Sequence, residues 1–137
     1  MTPEQINLVH DSFRKVTPIS EDIADLFYGR LFDLEPQLRP LFAEDMGGQK
    51  KKFMQMLELV MKCLNAPGRF LPAVVALGQR HSGYGVTPAH YTCVGEALMW
   101  ALHQGLGEAF TEDVQMAWVA AYGTLADVMI GAGSEQA

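Results

Sequence analysis

Of the 137 residues, His81 has the strongest claim to chemistry, because it stands where an apolar helical segment runs out, in Leu77-Gly78-Gln79-Arg80-His81-Ser82-Gly83-Tyr84-Gly85-Val86. A histidine there can turn one ring nitrogen toward a buried ligand while the other bonds a carbonyl one turn earlier, which fixes the tautomer and suits an axial metal ligand. The same position also suits a simple cationic partner for the end of a helix dipole, and spacing alone leaves both readings open. His10, His90 and His103 compete poorly, lying in the first helix, in the first turn of a later one and near the far end of that same helix. Cys63 and Cys93 each fall inside an amphipathic pattern and not in a paired framework, so they read as reduced core thiols. Tyr28 lies beside an apolar helical stripe and Gln49 one turn before Phe53. A phenol and a primary amide are hydrogen-bond donors. Taken singly they also read as an amphipathic core tyrosine and a solvated first-turn glutamine.

The elements that must position these groups are all helical. Thr2 and Pro3 supply an N-cap and a first-turn proline, after which Ile6, Val9, Phe13 and Val16 recur at helical spacing until Thr17 and Pro18. Ser20 is expected to cap a second helix with the face Ile23, Phe27, Leu31 and Leu34. Pro36 opens a short turn toward Phe42, and after Gly47 and Gly48 a long helix carries Phe53, Met56, Leu57, Val60 and Leu64 as far as Pro67 and Gly68. Phe70 to His81 reads as a short helix. Thr87 and Pro88 start another, with Tyr91, Val94, Leu98, Ala101 and Leu102 on one side. Thr111 starts the last, striped by Val114, Ala117, Trp118, Ala121, Leu125 and Val128, with Gly131 to Ala137 expected to fray. No segment alternates with period two, so the fold class is all-α.

Length, charge and hydropathy bound the function. At 137 residues the chain reads as one domain spanning 1–137, able to bury a core and a cofactor but too short for a second catalytic module. With a net charge of −6 and no basic block beyond Lys50, Lys51 and Lys52, it is a poor partner for a phosphate backbone, so no nucleic acid is expected. No apolar run approaches the roughly 18 residues of a membrane span, and the N-terminal residues are too polar for a signal peptide. A soluble, cytoplasmic protein away from membranes is the expectation, and the apolar stripes are already claimed by the core, so monomer is the default.

The run Phe27-Tyr28-Gly29-Arg30-Leu31-Phe32-Asp33-Leu34-Glu35-Pro36, then Leu41-Phe42, Gln49, Phe53, His81, Tyr91, Val94-Gly95 and finally Ala117, Trp118, Ala121, Tyr122 and Gly123, resembles the globin family. The resemblance extends from about Ile6 to Met129. It is strongest to single-domain bacterial globins and the haem domain of flavohaemoglobins, and more distant to neuroglobin. The Leu-Phe pair after the Glu-Pro turn, followed by His81, is its specific part. It implies helices crossing around a pocket for haem b, iron protoporphyrin IX, with His81 as the metal ligand. It also implies Phe42 stacked on the porphyrin, Phe53 on the distal wall with Phe32 nearby, and Val86, Tyr91 and Val94 among the cofactor contacts. Lys52 and Arg80 lie next to pocket positions, where pairing with haem propionates and a solvated charge are equally open readings.

Tyr28 and Gln49 match the family's distal positions. The resemblance implies that both donate to a bound diatomic gas, favouring oxygen over carbon monoxide because oxygen draws negative charge. Gln49 cannot serve as a second histidine ligand, so the iron is expected to be pentacoordinate or weakly six-coordinate, with Lys52 a remote candidate for the sixth position. Tyr91, ten residues after His81, matches a proximal tyrosine of flavohaemoglobins. Their proximal carboxylate instead aligns with Gly133, two residues from Glu135, which weakens the expected push of His81 on the gas. The function implied is reversible binding of O2, with NO and CO as further ligands. Nitric oxide dioxygenase activity is implied when an external reductase supplies electrons, and oxygen binding, scavenging or sensing without turnover is the alternative.

Overall fold

The computed structural model describes residues 2–41, 47–65, 72–79 and 88–136, and among them every regular element is a helix. Helix α1 spans Pro3–Val16. Its start is a reciprocal cap: the Gln5 amide donates to the Thr2 hydroxyl and the Thr2 amide to the Gln5 side chain, each over 3.1 Å. A 3-10 turn, Thr17–Ile19, leads directly into α2, Ser20–Leu34. Ser20 is therefore the first residue of α2 and not its cap. The cap position is Ile19, without a side-chain bond, and Glu21 and Asp22 in the first turn answer the helix dipole instead. Beyond α2 the chain turns through the 3-10 segment Pro36–Leu41, which buries Leu38.

Helix α3 spans Gly47–Asn65, residues 72–79 form α4, and α5 spans Pro88–Leu106. Gly107, in the left-handed region at φ 57°, starts the 3-10 turn Gly107–Ala109 that joins α5 to α6. Helix α6 spans Glu112–Gln136, and the Thr111 hydroxyl accepts the Val114 amide at its start. The expected fraying from Gly131 does not occur before Gln136. Two glycines without a neighbouring proline cost helix propensity but break no obligatory bond. Toward that end of the stripe it is Met129 that is buried, while Val128 is only half-buried.

The largest interhelical contacts are α2 with α5 and α1 with α6. In the first, Gly105 admits the tip of Ile23, which a methyl there would overlap. In the second, the Trp118 indole N–H donates to the Ser12 hydroxyl over 2.8 Å. Val9, Val16, Ile23, Leu57, Leu102 and Trp118 are the large, fully buried side chains at the centre. Gly78 of α4 lies against the Met129 main chain, where a β-carbon would stand 2.6 Å from the Met129 Cα.

Candidate functional site

The site is built from the α2–α3 crossing outward. Phe27 and Tyr28 are consecutive on α2, and both turn inward because the helix buries a stripe wide enough to hold the phenol beside the apolar core. Phe27 stacks on Phe53 of α3 at a centroid separation of 4.6 Å, and Tyr28 meets Phe53 edge-on at 6.0 Å and Phe32 at 6.1 Å. Within this apolar cluster the Tyr28 hydroxyl donates to the main-chain carbonyl of Gln49 over 3.3 Å. Burial pushes the phenol above its ordinary range, and hydrogen bonding with the Gln49 side chain opposes part of that shift. Tyr28 and Gln49 are thus brought together, with the glutamine half-buried. At the same helix start, Lys50 forms an ion pair with Asp25 that ties α3 to α2.

Gln49, Phe53, Leu57 and Val60 lie on one side of α3, spaced by three or four residues. Lower on that stripe, Met56, Leu57 and Val60 face Leu98 of α5 and Trp118, Tyr122 and Leu125 of α6 across a small, partly open cavity of about 10 Å³. Among the described residues that line it, no side chain is charged. The two that carry a polar atom turn it elsewhere, the Trp118 indole N–H to the Ser12 hydroxyl and the Tyr122 hydroxyl to the Tyr91 carbonyl over 2.6 Å, so the surfaces facing the cavity are apolar.

Tyr91 and Val94 are half-buried on the first turns of α5. Burial raises the Tyr91 phenol, and it raises Tyr122 further, with Tyr91 and Cys93 adding to the effect. Between them Gly95 leaves room for the Tyr122 ring, which passes 3.5 Å from where its β-carbon would be. In the sequence Tyr122 stands out only as one of the residues that carry the family resemblance. The usable signal was a glycine inside a helix opposite an aromatic on the facing stripe.

Lys52 is exposed on α3. His81, Phe42, Arg80 and Val86 lie outside the described residues, as does the Cys63 side chain. Cys93 is a free thiol but only half-buried, short of the core position expected, with its Sγ donating to Glu35 Oε1 over 3.6 Å. Partial burial and the Glu35 and Glu96 carboxylates push that thiol up, away from the reactive thiolate. Among the described residues, no three His, Cys, Asp or Glu side chains gather as a metal site, and no helix is long and apolar enough to cross a membrane.

A family model described as Globin matches residues 25–129. The chain is 33% identical over 114 residues to a flavohemoprotein of Bacillus subtilis, covering 81% of this chain and 29% of that protein. It is 32% identical over 134 residues to one of Bordetella parapertussis, covering 96% and 33%. The chain spans about a third of the length of these curated relatives. Among solved structures, a bacterial globin of Campylobacter jejuni matches with a TM-score of 0.87 and 26% identity, covering 98% of each chain. An engineered carbene transferase, made from a Rhodothermus marinus protein assigned as a nitric oxide dioxygenase, matches with the same TM-score and identity, covering 99% and 95%.

Proposed function

The chain belongs to the globin family and has its all-α fold, and from that premise we propose that it holds haem b and binds O2, with NO and CO as further ligands. Haem, if bound, would supply an iron able to take a diatomic gas. In this reading His81 would ligate the iron, Phe42 would stack on the ring, and Phe53 would wall the gas site. Val86, Tyr91 and Val94 would contact the cofactor, and Lys52 and Arg80 would pair with its propionates. The facing surfaces of α3, α5 and α6 are apolar, the chemistry that the body of such a group would need around it.

The observation that carries the reading is the Tyr28 hydroxyl, buried among three phenylalanines and held by Gln49. Its 3.3 Å bond to a neutral carbonyl is long for O–H···O, whose usual distance is about 2.7 to 2.8 Å. Exchanging that bond for a shorter one to a gas carrying partial negative charge is favourable. The raised phenol remains protonated at neutral pH, as a donor must. Gln49 supplies the second donor from the adjoining turn of α3. Tight retention of oxygen suits its use as a reactant, so with electrons from a reductase we propose nitric oxide dioxygenation. Gly133, at the place of the relatives' proximal carboxylate, favours oxygen binding or sensing without turnover as the second reading.

Tyr28→Phe tests both, because it removes the donor and leaves the ring. Each charge-assisted donor contributes about 1.5 to 3 kcal/mol, so stopped-flow oxygen dissociation should accelerate by roughly 10 to 100 fold while carbon monoxide dissociation changes far less. An unchanged oxygen rate removes the distal assignment. Nitrate formation from nitric oxide, sustained with a supplied reductase, then separates dioxygenase from oxygen binder.

A further inference from the structure

The charge on this chain is unevenly placed. Helix α3 carries Lys50, Lys51, Lys52 and Lys62 against Glu58, a net +3, whereas α1 and α4 are neutral, α2 is −3, α5 is −1 and α6 is −4. Helices α1, α2 and α6 each set an acid in the first turn, where the helix dipole favours it; α3 has none there and starts its lysines at Lys50. Helix stability alone does not call for that arrangement.

Lys50 is consumed by the ion pair with Asp25. Lys51, Lys52 and Lys62 are exposed and form no ion pair among the described residues. Lys51, Gln55, Glu58 and Lys62 fall on one stripe of α3, all exposed, opposite the stripe of Gln49, Phe53, Leu57 and Val60 that faces Tyr28 and the cavity. The stripe is about 16 Å long, and a partner seated on it lies about one helix diameter, roughly 10 Å, from the cavity wall.

We propose that this exposed face of α3 is the docking surface for an acidic electron-carrying protein, an inference that rests on the proposed haem function. Charge complementarity selects the partner: the strip itself is net +1 with Lys52 beside it, and on a chain of net charge −6 it lies on the one described helix of net positive charge, so an acidic protein is drawn to α3 and repelled by α2, α5 and α6. On docking, one electron leaves the partner's reduced flavin, which becomes oxidised by one electron, and reduces ferric haem iron to ferrous. No bond in this chain forms or breaks.

The test uses the haem-loaded protein with reduced flavodoxin, an acidic flavoprotein, as donor and photoreduced riboflavin as a neutral small reductant. The bimolecular rate with flavodoxin should fall about tenfold between roughly 20 and 200 mM salt, as screening shortens the field. Lys51→Glu with Lys62→Glu should lower the low-salt rate about tenfold, and Glu58→Lys should raise it about threefold, with riboflavin reduction unchanged in both variants. In a titration of 15N-labelled protein, flavodoxin should shift the amides of residues 51–62. Variant rates equal to wild type, shifts confined to other helices, or preferential binding of the strip to phosphatidylserine vesicles or duplex DNA would each overturn the docking surface. If the protein takes up no haem the proposed function falls, while the shift map still decides the surface.

Discussion

The Tyr122 hydroxyl donates to the Tyr91 carbonyl over 2.6 Å, joining α6 to the first turn of α5 across 31 residues of sequence. Tyr28, Tyr91 and Tyr122 all have phenols raised by burial above the ordinary value of 10.0. In the unfolded chain they ionise near pH 10, whereas in the folded chain they keep their protons. The unfolded state therefore binds fewer protons above that pH, and stability falls as pH rises through and beyond 10, while below it these groups add no pH dependence. Urea midpoints between about pH 8 and 11.5 should show a flat region and then a decline. Tyr122→Phe should cost about 0.5 to 1.5 kcal/mol at neutral pH and make the alkaline decline shallower. An identical alkaline slope in the variant would refute this account.

The Trp118 indole is 1% exposed and its N–H donates to the Ser12 hydroxyl, which itself donates to the Leu8 and Val9 carbonyls. Ser12→Ala strands a buried N–H and should destabilise by about 1 to 3 kcal/mol. Ser12→Thr can keep the bond, so chemical denaturation should rank the alanine variant clearly below it.

Glycine-to-alanine substitutions should divide by what the new methyl meets. At Gly29, inside α2, nothing lies within 4 Å, so helix propensity dominates and alanine should stabilise by about 0.5 to 1 kcal/mol. At Gly78 the methyl would strike the Met129 main chain, and the overlap should outweigh propensity by about 1 to 3 kcal/mol of destabilisation. Equal shifts in the denaturation midpoint of the two variants would contradict the close approach of α4 to α6.

His81→Ala should abolish stable haem uptake or leave a protein whose ferrous absorption spectrum returns only with added imidazole, since His10 is bonded to Asn65 on α3, His103 lies edge-on to Phe110, and His90 is in the first turn of α5. An unchanged ferrous spectrum without imidazole would assign the ligand elsewhere.

Much of this architecture is legible in the residues themselves. Pro3 and Pro88 mark helix starts, and the stripes of α2 and α6 predict burial of Ile23, Phe27, Trp118 and Ala121. Tyr28 beside its stripe is enough to anticipate a buried phenol. The Ser20 cap fails because a 3-10 turn delivers the chain already helical, leaving no extended residue to act as a cap. The length of α6 is missed because glycine weakens a helix without ending it. Neither the Tyr28 bond to a main-chain carbonyl nor the Tyr122 clasp is readable from type and spacing, since each depends on how two helices cross. The side-chain inventory names donors but not the carbonyls they find.

Gly78 has a wider consequence. It lets α4 approach α6 so closely that the roll and height of α4 are referenced to Met129, with Val74 buried one turn before it. His81 follows three residues after Gly78 in the sequence. A change that slides α6 along its own axis would then carry the root of the His81 segment with it. The chemistry proposed for His81 would thus be adjustable through α6, by substitutions that touch neither Tyr28 nor Gln49.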